Sequence, residues 1–356
     1  MYIRRLGVNY VRNIEQATVN GGEGCNLIFG ENGAGKSSFL EAIGLAATGK
    51  SFRSGNPNLY TTHNARYFQV EIEAITRHKR RITSRVRRKD NARSVFLNGK
   101  RVSRSTELAR QLPLLVFSHE TLNARISTSD ARRSLLDWLL FHVEPSHGGL
   151  LKSYRHAMEQ YRHALSKRDQ GSTIWITELV KLAHQIDQNR LALAKDLAST
   201  FGDYVSRFSG MSDATLNYRK GWSENEDLAG LLIKYEDSHR KLGYVNIGPH
   251  RADLQLRGCK GDVKTWCSRG QLKAIHFLLM LSLIALFELR TGETPILLLD
   301  DMWAEIDRQT GDRLISLLQP FKLQFFVSAL EDCSSAISFL NPTVFHVEQG
   351  RISKAK

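Results

Sequence analysis

The sequence predicts an α/β fold that carries an antiparallel β subdomain and an inserted α-helical lobe. Three observations lead to this prediction. A glycine-rich turn near residue 30 lies between a strand pattern and a helix pattern, residues 1 to about 125 are rich in alternating strands, and residues 130 to 208 follow a helical period before α/β patterning returns. We therefore expect two parts of one α/β lobe, at 1–129 and 241–356, with the helical lobe at 130–240 between them.

The glycine-rich turn, Gly30–Ser37, matches the phosphate-binding pattern G-x-x-x-x-G-K-[ST] at every fixed position. An apolar strand at 26–29 precedes it and a helical pattern at 38–43 follows it. In that setting backbone N–H groups curl around a phosphate, and the start of the helix adds positive potential. A glycine-rich turn with a surface lysine is the alternative, but the context favours a nucleoside triphosphate site.

Each residue type in this loop has a predicted role. Lys36 would reach the β- and γ-phosphates, and the Ser37 hydroxyl would complete a Mg²⁺ shell. The predicted nucleotide contacts are Gly30, Glu31, Asn32, Gly33, Ala34, Gly35, Lys36, Ser37 and Ser38.

The composition is that of a globular protein, with 42% hydrophobic and 24% charged residues among 356. Four scattered cysteines without C-x-x-C spacing favour free thiols in a reducing cytoplasm over a zinc site. No signal peptide is visible at the N-terminus. The apolar run from Ala274 to Leu289 is shorter than a spanning helix of about 20 residues. It predicts a buried core helix and no membrane role.

The formal charge of +14 is concentrated in one segment. Twelve Lys or Arg residues fall between Arg77 and Arg104 against one acid, Asp90. Alternation at 66–75 and 81–88 predicts strands, and Asn98-Gly99 predicts a two-residue hairpin turn. The segment therefore predicts a basic antiparallel sheet that binds DNA, with a solvated hairpin as the alternative. The candidate contacts are Arg85, Arg87, Arg88 and Lys89.

Two helical stripes, at 150–165 and 179–204, predict the inserted lobe. Residues 169–172 between them predict a helix–helix turn. The stripes are interpreted as packing surfaces of this lobe, with a partner-binding helix as the alternative. The helical arm is only tens of residues long.

The segment Ile296–Asp301 is an apolar strand that ends in two acids. Buried central strands of parallel sheets have this pattern, and ligands bind at their carboxyl ends. Asp300 is predicted to hold Mg²⁺, and Asp301 to orient or polarise the attacking water.

A second anion site is predicted at Ser268–Gln271, which directly precedes the long apolar helix, and an ordinary helix N-cap is the alternative. This segment resembles the signature motif of the ATP-binding-cassette superfamily, and Ala304–Asp307 resembles its D-loop. The resemblance implies that Ser268, Gly270 and Gln271 of one protomer cover the γ-phosphate of ATP held by the other. Two ATP molecules would then be sandwiched in a head-to-tail homodimer.

Within that superfamily the chain resembles the RecF family of bacterial recombination proteins. The resemblance spans residues 1 to about 350 and rests on ordered motifs, which are 10–14 (Y-V-R-N-I), 49–54 (G-K-S-F-R-S), 132–138 (R-R-S-L-L-D-W), 248–253 (G-P-H-R-A-D) and 268–271 (S-R-G-Q). It implies ATP-dependent dimerisation on single- or double-stranded DNA. It also implies slow hydrolysis and cooperation with RecO and RecR in placing RecA on gapped DNA.

Three positions depart from the family pattern. His119 stands where proline is frequent, and residues 127–130 replace a usual Gly-x-Pro turn. Ser328 stands where transporters carry a switch histidine. Together with Asp301 in place of a longer glutamate, this residue predicts slow turnover.

Three other functional classes are disfavoured. A transporter subunit is disfavoured because more than 230 positions separate the phosphate loop from the signature. A chromosome-organising ATPase needs a longer helical insert, and a metabolic kinase has no use for the signature.

For Arg12, a phosphate or DNA sensor and a surface arginine both remain open. For His250 and Arg251, a ligand contact and a structural turn remain open.

Overall fold

The computed structural model describes residues 1–90, 92–167, 172–208 and 213–355. The chain divides into two compact units, one made of Met1–Asn123 with Arg269–Lys356 and the other of Ala124–Ser268. Strands are numbered β1 to β15 and helices α1 to α10 in chain order. Residues 169–171 of the predicted helix–helix turn lie outside the described part of the chain.

Six antiparallel strands form the first sheet of unit one, in the order β2-β1-β4-β5-β6-β7. Their bounds are β1 Tyr2–Val11, β2 Ile14–Asn20, β4 Tyr67–Ile75, β5 Arg81–Lys89, β6 Ala92–Leu97 and β7 Lys100–Arg101. Alternate residues such as Phe68, Val70 and Ile72 are buried, as period-2 patterning requires. Asn98 and Gly99 have φ of 50° and 77°, so the predicted hairpin turn is confirmed.

A second six-stranded sheet lies in the same unit, in the order β15-β14-β3-β13-β12-β8. Its strands are β3 Cys25–Phe29, β8 Leu114–Phe117, β12 Ile296–Leu299, β13 Phe325–Ala329, β14 Thr343–Glu348 and β15 Arg351–Lys354. All are parallel except β15, which pairs antiparallel with β14. The predicted strands at 26–29 and 296–299 are confirmed, and both are almost wholly buried.

The helices of unit one are α1 Lys36–Thr48, α2 Ser105–Gln111, α9 Arg269–Thr291 and α10 Arg308–Ser316. Helix α1 packs its apolar side chains in the same core as the antiparallel sheet. Helix α9 is long and apolar enough to cross a bilayer, but 83% of its most apolar 18-residue window is buried inside the protein. It packs as the core helix that the sequence predicts. Helix α3, His119–Ser127, continues the chain from unit one into unit two.

Unit two contains five helices and a small antiparallel sheet among its described residues. Their bounds are α4 Ser129–Val143, α5 His147–Lys167, α6 Ser172–Arg207, α7 Leu228–Lys234, α8 Glu236–Leu242, β9 Thr215–Arg219, β10 Asp253–Gly258 and β11 Gly261–Asp262. The predicted stripes form its core; Tyr161, Ala183 and Ile186 are all buried.

The bounds of unit two differ from the predicted 130–240. The unit runs to Ser268 because β9 pairs with β10, which places Leu216 opposite Leu256. This pairing joins residues on either side of α7 and α8, so residues 241–268 pack with the helices rather than with the α/β unit. The turn at residues 127–130, which departs from the family pattern, is stabilised locally. The Thr128 hydroxyl accepts a hydrogen bond from the Ala131 amide and caps α4.

Candidate functional site

The predicted phosphate loop connects β3 to α1, so all nine predicted contacts lie in one turn and the start of one helix. Gly30 and Gly35 have φ of 154° and 121°, a region that favours glycine. A Cβ on Gly30 would lie 2.2 Å from the Val347 carbonyl oxygen. The loop therefore curves as a phosphate-binding turn requires, and bulkier residues do not fit at these positions.

Two residues that the sequence analysis missed brace this loop. The Asn13 side-chain amide donates to the carbonyls of Gly33 and Ala34 at 3.0 and 3.1 Å. The Gly350 amide donates to the Ala34 carbonyl at 2.8 Å. Both residues lie outside the loop in the sequence, and their hydrogen bonds to its carbonyl oxygens hold the loop in its curved shape.

Lys36 lies inside the curve of the loop. Its Nζ donates to the carbonyl oxygens of Gly30 and Glu31 at 2.7 and 2.9 Å. Burial lowers the pKa of this lysine, while the carboxylates of Asp301 and Asp300 act to raise it. An ammonium held in this position can pair with phosphate oxygens that enter the loop.

Ser37, Asp300 and Ser328 form one hydrogen-bonded group at the carboxyl ends of three adjacent strands. The hydroxyls of Ser37 and Ser328 donate to Asp300 Oδ1 at 3.0 and 2.8 Å. Burial raises the pKa of Asp300, which the two hydroxyl bonds oppose. A carboxylate beside a hydroxyl fits a magnesium ion that takes its remaining ligands from phosphates and water. Among the described residues, no group of three or more His, Cys, Asp or Glu side chains is arranged to hold a metal ion by itself.

Asp301 follows Asp300 and has a φ of 52°. Its backbone amide donates to Ser328 Oγ at 2.8 Å, and this hydrogen bond holds the residue in that conformation. It is exposed and lines a cavity of about 470 Å³ together with Asn32 and Ser328. Asp301 therefore shares one cavity with Asn32 of the phosphate loop. None of Ser268, Gly270 and Gln271 lines this cavity.

The predicted signature lies at the start of α9. Ser268 is exposed and directly precedes the helix. A Cβ on Gly270 would lie 2.9 Å from the Glu305 carbonyl oxygen, and Arg269 Nη1 donates to Glu305 Oε1 at 2.9 Å. The segment that resembles a D-loop therefore packs directly against the first turn of α9.

Arg12 has a partner that the sequence analysis missed. Its guanidinium donates to both carboxylate oxygens of Glu41 on α1, at 2.8 and 3.1 Å. The Glu41 side chain is fully buried, whereas Arg12 keeps 25% of its side chain exposed. Ser51 also donates to Glu41, and Arg53 lies 3.9 Å from it. Arg12 is therefore part of a structural brace beneath the phosphate loop.

His250 and Arg251 differ in their surroundings. His250 Nδ1 lies 2.9 Å from the Tyr154 hydroxyl and its Nε2 lies 2.8 Å from the Val245 carbonyl. Burial lowers the pKa of His250 and so favours the neutral ring, while the hydrogen bond to the Val245 carbonyl acts to raise it. Arg251 is exposed and its guanidinium lies 5.5 Å from the centre of the Tyr244 ring. The turn is structural at His250, and Arg251 faces solvent.

The four DNA candidates lie at the end of β5, and strand alternation separates them. Arg85, Arg87 and Lys89 are exposed on the outer face, whereas Arg88 is on the opposite face and donates to Asn58 Oδ1 at 3.1 Å. Within the outer group, Arg85 pairs with Glu71 at 2.6 Å. The guanidinium of Arg87 lies 5.5 Å from the ring centre of Tyr67. The structure thus brings three of the four candidates together.

Comparison with known proteins agrees with this geometry. The family model described as the RecF/RecN/SMC N terminal domain matches residues 2–353. Proteins named DNA replication and repair protein RecF from Cellvibrio japonicus (strain Ueda107) and Shewanella denitrificans (strain OS217) are each 31% identical, and each match covers 99% of both chains.

Solved structures show the same fold. A structure of the recombination mediator protein RecF with ATP in the RecFOR pathway superposes with a TM-score of 0.86 at 22% identity, and the match covers 100% of this chain and 98% of the other. An Smc head bound to the C-terminal winged-helix domain of ScpA gives 0.61 at 16% identity, covering 100% and 97%. The fold is therefore that of ATP-binding-cassette heads. The chain belongs to the RecF family of DNA replication and repair proteins.

Proposed function

We propose that this protein is an ATP-dependent DNA-binding protein of recombinational repair and replication, and that it uses slow ATP hydrolysis as a switch. The observation that carries the proposal is the group of Ser37, Asp300 and Ser328 beside the Lys36 ammonium. It provides a cation site next to a phosphate loop. The named relatives are DNA replication and repair proteins, which favours a repair role for the same chemistry here.

In this proposal each residue of the site has one task. The loop amides and Lys36 bind the β- and γ-phosphates, and Asp301 orients the attacking water. Ser37 and Asp300 would hold Mg²⁺, which offsets the charge that develops on the phosphates during transfer. Because an aspartate reaches less far than a glutamate, we expect slow turnover, stimulated when DNA orders the site.

The second part of the proposal is an ATP-dependent homodimer. The cavity beside the loop is open and none of the signature residues lines it in the same chain. A second copy can close it by placing the start of its α9 on the γ-phosphate, because a helix N-terminus attracts anions. Two ATP molecules are then held between two protomers, and loss of the γ-phosphate releases the contact.

The third part concerns partners and place. The outer face of the antiparallel sheet carries Arg87 and Lys89, which suits the phosphates of single- or double-stranded DNA. The RecF structure that this chain resembles belongs to the RecFOR pathway. We therefore propose RecO and RecR as partners, loading of RecA at gaps as the outcome, and the cytoplasm as the compartment.

The test is the molar mass in solution, measured by light scattering after gel filtration. With ATP and Mg²⁺ the wild-type protein should double its mass, and with ADP it should not. Ser268→Arg should bind ATP as a monomer but fail to dimerise. A wild-type mass that is the same with ATP and ADP, together with no affinity for DNA, would remove the proposal.

A further inference from the structure

The backbone that carries Asp301 is held in an uncommon conformation. Asp301 and Glu305 both have positive φ, 52° and 64°, in a turn without glycine at those positions. Non-glycine residues adopt this region only at an energetic cost, so the surroundings must fix it. The Ser328 hydroxyl accepts from the Asp301 amide and fixes one side of that residue.

The other side of the turn is held by a lysine that no motif assigned. Lys273 Nζ donates to the carbonyl oxygens of Asp301 and Ala304 at 2.6 and 2.7 Å. Lys273 belongs to α9, and only 6% of the residue is exposed. One ammonium therefore ties both ends of a four-residue turn to the helix that begins with the signature.

A further contact holds the turn close to α9. Gly270 has no Cβ and therefore lets the Glu305 carbonyl come close to α9. The spacing of Gly270 and Lys273 places both on one face of the helix. Burial lowers the pKa of Lys273 to about 8, and the carboxylates of Glu305, Asp301 and Asp300 act to raise it. A buried cation without a direct carboxylate bond is costly, which argues for a role beyond filling space.

We propose that Lys273 is a positioning residue for ATP hydrolysis, which holds the Asp301 carboxylate in place through the backbone carbonyls of Asp301 and Ala304. The inference rests on the proposed catalytic role of Asp301. Lys273 does not line the cavity beside the phosphate loop, so we expect it to affect the chemical step and not the affinity for ATP. A displacement of about 1 Å at a catalytic group costs on the order of 100-fold in rate, which sets the scale of the effect.

The test compares Lys273→Met, Lys273→Arg and Asp301→Asn. Lys273→Met should keep the Kd for a fluorescent ATP analogue within about 3-fold and lower kcat by about 10- to 100-fold. Lys273→Arg, which keeps donors at this position, should regain part of the rate. Ser282→Ala is the matched control: Ser282 is buried on the same helix and donates to the Leu278 carbonyl, far along the helix from the turn. Its kcat should be that of the wild type.

A double-mutant cycle separates positioning from general stability. In the Asp301→Asn background, Lys273→Met should cause little further loss of rate, because both changes act through one carboxylate. Losses that multiply, or a Lys273→Met protein with lower Tm but normal kcat, would overturn the inference. Should Lys273→Met fail to fold, Lys273→Gln takes its place in the cycle. Normal kcat in Asp301→Asn would instead contradict the proposed role of Asp301.

Discussion

The Ser37 hydroxyl donates to Asp300 Oδ1 at 3.0 Å although 263 positions separate the two residues in the chain. The sheet order explains this contact, because β13 lies between β3 and β12 and all three strands are parallel. Their carboxyl ends meet at one edge, and Ser328 of β13 donates to the same oxygen at 2.8 Å. Asp300 follows β12, Ser328 lies in β13 and Ser37 lies in the first turn of α1, which the phosphate loop connects to β3. Each of them contributes one polar group to the proposed cation site.

The first prediction concerns Lys36. Lys36→Ala should weaken ATP binding by about 30- to 3,000-fold, because loss of one partner of a buried charged pair costs about 2–5 kcal/mol. Titration with a fluorescent ATP analogue measures it. Lys322→Ala removes an exposed lysine of the same unit and serves as the control. An unchanged Kd in Lys36→Ala would show that phosphates do not enter the loop.

The second prediction separates binding from hydrolysis. Asp301→Asn should bind ATP normally and lower kcat by about 100- to 10,000-fold, the range typical of a lost general base. Since ATP then persists, the dimer should outlast that of the wild type after ATP is diluted. Single-turnover hydrolysis and light scattering measure the two effects. Rapid release of the dimer in Asp301→Asn would disconnect hydrolysis from dissociation.

The third prediction concerns the brace beneath the loop. Glu41→Ala should lower the free energy of unfolding by about 3 kcal/mol, because it leaves the Arg12 guanidinium without its buried partner. We expect the lower end of the usual range, since Arg12 keeps access to water. Urea denaturation measures the loss, and Glu71→Ala, which removes a half-exposed partner of Arg85, should cost much less.

The fourth prediction concerns DNA. Arg87→Ala with Lys89→Ala should weaken binding to all sequences alike and reduce the slope of log K against log salt by about 0.9 per lost phosphate contact. Arg88→Ala should have less effect, since its side chain lies on the other face of the sheet. Lys264→Ala in the other unit is the control. Equal losses for Arg88 and Arg87 would place the DNA elsewhere.

Much of the nucleotide site was predictable because its motifs are local. The loop at Gly30–Ser37 and the strand before Asp300 carry their signals in consecutive residues, and both lie where the motifs predict. Strand alternation also places Arg87 and Arg88 on opposite faces of β5, so the four candidates do not share one face, and a DNA contact at Arg88 stays a prediction.

The remaining site residues were not predictable because their partners are distant in the sequence. Glu41 looks like an ordinary helix residue until Arg12 is placed beside it, and the carbonyl partners of Lys273 lie 28 and 31 positions away. The boundary at Ser268 has the same origin, because β9 and β10 pair across two intervening helices. The alternation of buried residues within each strand does not indicate which other strand it pairs with.

The most direct measurement is the molar mass of an equimolar mixture of Lys36→Ala and Ser268→Arg with ATP and Mg²⁺. Each variant alone should stay monomeric, since Lys36→Ala binds ATP too weakly and Ser268→Arg cannot cover it. Mixed protomers restore one complete pocket, so the mixture should form a dimer with a single bound ATP. A mixture that stays monomeric, or Ser268→Arg that dimerises by itself, would contradict a pocket shared between two copies.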